Sequence, residues 1–151
     1  MPRLLVVSHT PSNNTRAIAT AVRERLDGVD GLQVRWLSPL AAAPADVAWC
    51  DGIAVGTTEN FGSMAGRSKD WFERIYYPCR EQTPGLPIVA WVRAGEDGAG
   101  SCLQLERIVK GLTWRWAQPP LVLHGAWDPD FCEQAATLAE TLAEGLVAGI
   151  F

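Results

Sequence analysis

Hydroxyl and amide side chains are concentrated in one short stretch near the start of the chain, Ser8-His9-Thr10-Pro11-Ser12-Asn13-Asn14-Thr15. Four hydroxyls and two amides fall within these eight residues, directly before a segment of helical periodicity. A helix N-terminus offers unpaired backbone N–H groups and a partial positive charge, so it holds a phosphate without any lysine or arginine. The hydroxyls and amides add donors around the phosphate oxygens. Such a neutral cradle suits a phosphate monoester that stays bound. It does not suit a triphosphate carried with Mg²⁺, because the Gly-Lys-Ser/Thr ending of a P-loop is absent. The three-glycine dinucleotide fingerprint is absent too. Two further stretches share this polar, glycine-rich character: Thr57–Ser63 and Ala94–Ser101.

Elements that would position these loops follow from the apolar pattern. Leu4 to Val7 is a continuous apolar run of the buried-strand type, and Ile18, Val22 and Leu26 then share one helical face. Asp27-Gly28 and Asp30-Gly31 end that helix, and Leu32 to Leu37 alternates as a half-exposed edge strand. Between Ser38 and Asp51, Pro39, Pro44 and a run of alanines leave room only for a short helix. Ile53 to Val55 is the next buried strand, and Met64 to Tyr76 a helix with Met64, Trp71, Phe72 and Ile75 inward, ended by Pro78. Pro87 to Val92 forms a strand, Gly95 to Gly100 a loop, and Leu105, Ile108, Val109 and Leu112 a helical face. Leu121 to Leu123 is the last strand, before a helix burying Phe131, Ala135, Leu138, Leu142 and Leu146.

Strict alternation of strands and helices predicts an α/β fold, a three-layer doubly wound sandwich, with residues 1–151 as a single domain. In such a sheet, ligands bind beyond the carboxyl ends of the strands where the strand order reverses. The three polar loops follow the first, third and fourth strands, where that rule expects a ligand.

Composition narrows the function further. The net charge of −4 and the absence of a basic stripe argue against a nucleic-acid surface. The opening apolar run is far too short for a membrane span, so the cytoplasm is the expected location. Cys50, Cys79, Cys102 and Cys132 are too scattered for a metal or redox pair and read as small buried hydrophobes in a reducing compartment. No metal site is expected. His9 lies within the first loop, where a ring N–H could meet a ligand, and His124 has no visible partner. The tryptophans are spread over many elements and read as core or interface.

Ser8, Thr10, Asn14 and Thr15 after a buried first strand resemble the phosphate loop of the flavodoxin family, a Ser/Thr-x-Thr followed by an Asn-Thr pair. Gly56-Thr57-Thr58-Glu59-Asn60-Phe61-Gly62-Ser63-Met64 is similar to the ring-facing loop of the flavodoxin-like NAD(P)H-dependent FMN and quinone reductases, and Lys69, Trp71 and Phe72 follow on the next helix. The resemblance implies a five-stranded parallel sheet in the order 2-1-3-4-5 and FMN as cofactor. Ser8, Thr10, Ser12, Asn13, Asn14 and Thr15 would then bind the phosphate. Thr57, Thr58, Glu59, Asn60, Phe61 and Gly62 would flank the flavin ring, with Phe61 either stacked on it or in the core. Ala94, Gly95, Glu96, Asp97 and Gly98 would form the third wall, with Glu96 and Asp97 solvated.

Two departures from the family pattern stand out. Pro11-Ser12-Asn13 replaces the usual glycine, so a left-handed backbone position would fall to Asn. The third loop has no aromatic where electron-carrier flavodoxins place a Tyr. The resemblance thus implies an oxidoreductase in which NAD(P)H reduces the flavin and the flavin reduces a quinone or similar acceptor, with no catalytic side chain required. The alternatives are an electron-transfer flavodoxin that docks to redox partner proteins, and a protein of this fold that has lost FMN. Relatives of the reductase type imply a homodimer or homotetramer, with Tyr76, Tyr77 and Trp116 at the interface.

Overall fold

A computed structural model describes residues 1–151. Twelve elements run in the order β1 (Arg3–Ser8), α1 (Asn13–Asp27), β2 (Gln33–Leu37), α2 (Pro44–Trp49), β3 (Gly52–Asn60), β4 (Ser63–Met64), α3 (Gly66–Arg80), β5 (Pro87–Ala94), α4 (Ala99–Leu112), β6 (Arg115–Trp116), β7 (Leu121–His124) and α5 (Asp130–Val147). The strands pair in the order β2-β1-β3-β5, and β6 and β7 both pair with β5. All these pairs are parallel, so the expected order holds, with β6 and β7 sharing the fifth position.

The central strands are buried on both faces, as their unbroken apolar runs require. Leu5, Val7, Ile53, Val55, Ile88 and Val92 pack against Trp71, Phe72 and Ile75 of α3 and Leu105 and Val109 of α4. Leu4, Val6, Ala54, Val89, Trp91 and Leu123 meet Ile18 and Val22 of α1 and Phe131, Leu138 and Leu142 of α5. Arg25 of α1 joins its neighbour helix by ion pairs to Glu133 (2.6 Å) and Glu140 (3.2 Å). Of the seven tryptophans, Trp71, Trp91 and Trp114 are buried and the other four are half-buried.

Several boundaries differ from the sequence expectation. The strand read at Ile53–Val55 continues to Asn60, then turns at Phe61-Gly62 into the antiparallel arm β4. Thr57 and Thr58 extend it because β-branched residues suit a strand, and the buried Thr57 hydroxyl meets that of Ser68 at 2.8 Å. Met64 therefore belongs to β4, and α3 starts at Gly66. Pro78 does not end α3 but lies within its last turn, giving up the hydrogen bond to the carbonyl of residue 74 while buried Ile75 and Cys79 hold that turn in the core. The fifth strand is broken. Between Ile88 and Trp91 of β5 its partner advances from Trp116 to Leu121, two residues more, and Pro119 and Pro120 in that bulge have no N–H to donate.

Gly56 illustrates the packing limit at the sheet centre. A Cβ there would lie 2.4 Å from the indole of Trp91, on the neighbouring strand. Gly56→Ala is expected to lower stability by about 1–3 kcal/mol through overpacking, read as a lower midpoint of urea unfolding with an unchanged slope.

Candidate functional site

The carboxyl ends of β1, β3 and β5 lie side by side, so the three polar loops share one edge of the molecule. Strand order reverses there, since β2 lies on one side of β1 and β3 on the other. The main chain locks the first loop to the second through a hydrogen bond from His9 N–H to the Gly56 carbonyl (2.9 Å).

The first loop is shorter than its sequence suggests, because α1 begins at Asn13. Ser12 is the N-cap, in extended conformation (φ −137°, ψ 167°). Its hydroxyl accepts from Thr15 N–H (3.2 Å), and its own N–H donates to the Thr15 hydroxyl (3.0 Å), a reciprocal capping box. Arg16 donates to the Asn13 side chain. Ser12, Asn13 and Thr15 are thus engaged with the helix end, while Asn14 is exposed without a side-chain partner. No residue of this loop takes a left-handed conformation. The expectation that Asn would do so is corrected: extended Ser12 turns the chain into the helix without a positive φ.

Ser8, His9, Thr10 and Pro11 line a polar cleft of about 110 Å³ with Ser38, Pro39 and Leu40, from the carboxyl end of β2, and Arg67, from the first turn of α3. Arg67 forms no ion pair, so the cradle is not neutral as the sequence suggested. Burial first, and then the Arg67 charge, holds His9 below the ordinary imidazole value of 6.5. His9 is therefore a neutral ring at pH 7, with one N–H donor. The far wall is held by Arg74 of α3, which donates to the carbonyls of Pro39 (2.5 Å) and Ala42 (3.0 Å). Arg67, Ser38, Pro39 and Leu40 were invisible as site residues, since no local motif links them to the first loop. The only sequence signal is the position of each just beyond a strand or hairpin.

Along β3, Thr58 donates to the Asn60 side chain (3.1 Å), and Ala65 N–H returns to the Thr58 carbonyl (2.9 Å). The hairpin is docked on α4: Met64 N–H donates to Gln104 (2.8 Å), and the Gly62 carbonyl lies 1.8 Å from where a Cβ of residue 100 would be. Only glycine at 100 permits this approach. Phe61 stands at the tip, fully exposed, with φ +53° beside Gly62 at +77°. It is no core residue, and a bulky side chain rarely adopts that φ. Thr57 faces inward, Glu59 is half-buried, and Asn60 is exposed.

In the third loop, Ala94 and Gly98 are buried, while Gly95, Glu96 and Asp97 are exposed. Asp97 accepts from Ala99 N–H (3.0 Å) at the start of α4. Ser101, on the inner face of α4, has a hydroxyl without a partner. His124 is exposed. The four cysteines are free, and burial, with Asp51 second, pushes the Cys50 thiol up to about 12, so it stays protonated. No cluster of metal-ligating side chains exists, and no helix is long and apolar enough to cross a membrane.

Solved structures share this architecture. A flavodoxin from the domain Archaea matches 95% of this chain and 98% of its own, with TM-score 0.77 at 17% identity. The fold is flavodoxin-like. Flavodoxin 1 from Bacillus cereus shares the flavodoxin-like fold with TM-score 0.77 at 11% identity, covering 94% of this chain and 97% of that one. An NADH:FMN oxidoreductase (EMOB) matches with TM-score 0.74 at 13% identity, over 96% and 90%. In sequence, a flavodoxin of Aquifex aeolicus (strain VF5) is 30% identical over 101 residues, which is 67% of this chain and 55% of that protein. The chain thus spans about half the length of the curated relative it matches. No protein-family model matches the chain.

The hairpin tip offers a direct test of its strain. Phe61→Asn is expected to raise the stability of the ligand-free protein by about 1 kcal/mol, because Asn tolerates positive φ and the exposed ring loses no packing. Thermal unfolding would show a melting point a few degrees higher. An unchanged or lower one would mean that Phe61 is not strained.

Proposed function

We propose that the chain is an FMN-binding oxidoreductase that takes electrons from NAD(P)H and passes them to a quinone or similar small acceptor. One observation carries the reading: a fully exposed aromatic on a docked hairpin projects from the same sheet edge as a polar, anion-suited cleft. Residues of three loops fit the parts of FMN. Ser8, His9, Thr10 and Asn14 supply donors for the phosphate. Ser12, Asn13 and Thr15 contribute through the α1 N-terminus that they cap. Phe61, Asn60 and Gly62 offer a stacking face and backbone polar groups for the ring, and exposed Gly95 lets the third loop come close to it, while buried Gly98 makes room for Val122. Nothing lies within 4 Å of the Cβ directions of Gly62 and Gly95, so the backbone at both positions is open to an approaching ligand.

Bound there, FMN supplies reversible one- and two-electron chemistry. The chain's contribution is to hold the phosphate, cover one ring face with Phe61 and leave the other open. The third loop carries no aromatic, so that side admits a hydride donor or an acceptor. Glu96 and Asp97 are exposed and are assigned no role in proton transfer. The relative of Aquifex aeolicus named a flavodoxin supports a second reading, an electron carrier that docks to redox proteins. The net charge of −4 is modest for such docking and favours the enzyme.

Titration of the purified protein with FMN, followed by quenching of flavin fluorescence, tests the cofactor. Saturable binding is expected, weakened up to about tenfold in Phe61→Ala by the loss of ring contact. Failure to bind FMN would sink the reading. Anaerobic bleaching of the bound flavin by NADH or NADPH, with turnover on a simple quinone, supports the enzyme. Flavin that neither nucleotide reduces points to the carrier.

A further inference from the structure

We propose that the open edge of β2 pairs with β2 of a second copy of this chain, antiparallel about a two-fold axis at Val34, so that the two sheets join into one. This edge is a different face from the Tyr76, Tyr77 and Trp116 surface that the reductase resemblance implies, and its pairing does not depend on bound flavin.

The two edges of the sheet are built differently. At the fifth position the edge is broken between β6 and β7, and Pro119 and Pro120 have no N–H to offer there. Bulges and prolines keep an edge strand from pairing with other chains. β2 has neither, and it runs unbroken from Gln33 to Leu37. Gln33 N–H donates to the Pro2 carbonyl (2.9 Å), and the parallel register directs the main-chain groups of Gln33, Arg35 and Leu37 toward β1. The N–H and C=O groups of Val34 and Trp36 therefore point away from the sheet, where no strand covers them. Arg35 is the one charge on β2. It does not guard the edge, because Asp46 (2.8 Å) and the Trp49 ring (4.0 Å) hold it against α2.

Beside this edge, α1 and β2 enclose an apolar groove of about 420 Å³, with Val29, Leu32, Val34 and Trp36 half-buried in it and Arg23 and Asp27 at its rim. The Arg23 guanidinium lies over the Trp36 ring (4.7 Å). The register identifies the occupant. A two-fold axis at Val34 sets Val34 against Val34 of the second copy and Leu32 against Trp36, all on the groove side. On the α2 side it sets Gln33 against Arg35, an amide against a guanidinium. The outward main-chain groups of Val34 then face their own equivalents as a hydrogen-bonded pair. The axis also reverses the groove, so its Arg23 end lies toward the Asp27 end of the other copy. Neighbouring axes match less well. One at Arg35 would oppose two guanidiniums, and one at Gln33 would set Trp36 against Asp30.

Sedimentation equilibrium from about 10 μM to about 1 mM tests the pairing, because five residues a side make a small contact and a reversible dimer is expected. Gln33 is exposed, so its variants are expected to keep the melting point of the wild type. Gln33→Glu sets a carboxylate against Arg35 and should tighten the dimer, while Gln33→Arg should loosen it. Each pair occurs twice, so a change of about three- to thirtyfold in the dimer dissociation constant is expected either way. Val34→Pro removes an outward N–H and no ladder bond of the monomer, and should abolish the dimer. Val34→Cys meets itself across the axis. Mild oxidation should give it a reducible disulfide dimer that the wild type, with its four free cysteines, does not form.

A protein that stays monomeric at every concentration would overturn the proposal, whichever other chain meets that edge. A dimer of equal strength in the wild type, Gln33→Glu and Gln33→Arg would overturn it as well, since another face would then hold the copies together. Neither result touches FMN binding, which the flavin titration reads separately.

Discussion

Strands buried on both faces can connect only by crossing over one face or the other, and that constraint sets everything else in this molecule. β1, β3 and β5 have no wet side, so helices cover them front and back, and each helix returns the chain to the same end of the sheet. The polar backbone that no strand or helix can satisfy is left at the two ends of the sheet, and the three loops rich in hydroxyls, amides and glycines all fall at the carboxyl one. β3 extends the principle past the sheet. One hydroxyl pair, Thr57 with Ser68, lets a polar strand stay dry long enough to build the hairpin.

Legibility in the sequence followed the same physics. Leu4–Val7, Ile53–Val55 and Pro87–Val92 announced themselves as unbroken apolar runs, and the helices by their inward faces, because burial leaves a periodic mark. What escaped notice was polar and buried, or polar and distant. Thr57-Thr58-Glu59-Asn60 looks like a loop until Ser68, eleven residues on, is placed beside it. Pro78 looks like a helix stop, yet the inward packing of Ile75 and Cys79 carries α3 past it to Arg80. Arg67 belongs to the cleft only through the meeting of three elements, a fact that no window along the chain contains. The hydroxyls of Ser12 and Thr15 were legible as a cluster, but their mutual capping was not.

Phe61, like Thr113 at the end of α4, holds a positive φ that residues with a side chain rarely adopt. An Asn at that position would make the turn without strain, and the ring packs against nothing in the protein itself. The hairpin that carries it is nevertheless held firmly, by Gln104 on one arm and by the contact of Gly62 with Gly100 at the tip. A rigid mount under an unpacked, strained aromatic is the arrangement expected where shape serves a ligand and not the fold.

The split fifth strand has a consequence for how this architecture can change. Around Gln118–Pro120 the chain leaves the sheet edge and rejoins it, while β5 keeps its register on either side. A longer excursion at that point would cost only the closure of a larger loop, which grows slowly with length. No ladder bond would be lost, and the carboxyl-edge loops would keep their places. The fold therefore carries a natural seam, a place where segments of new length and new surface could be spliced in while the ligand edge stays as it is.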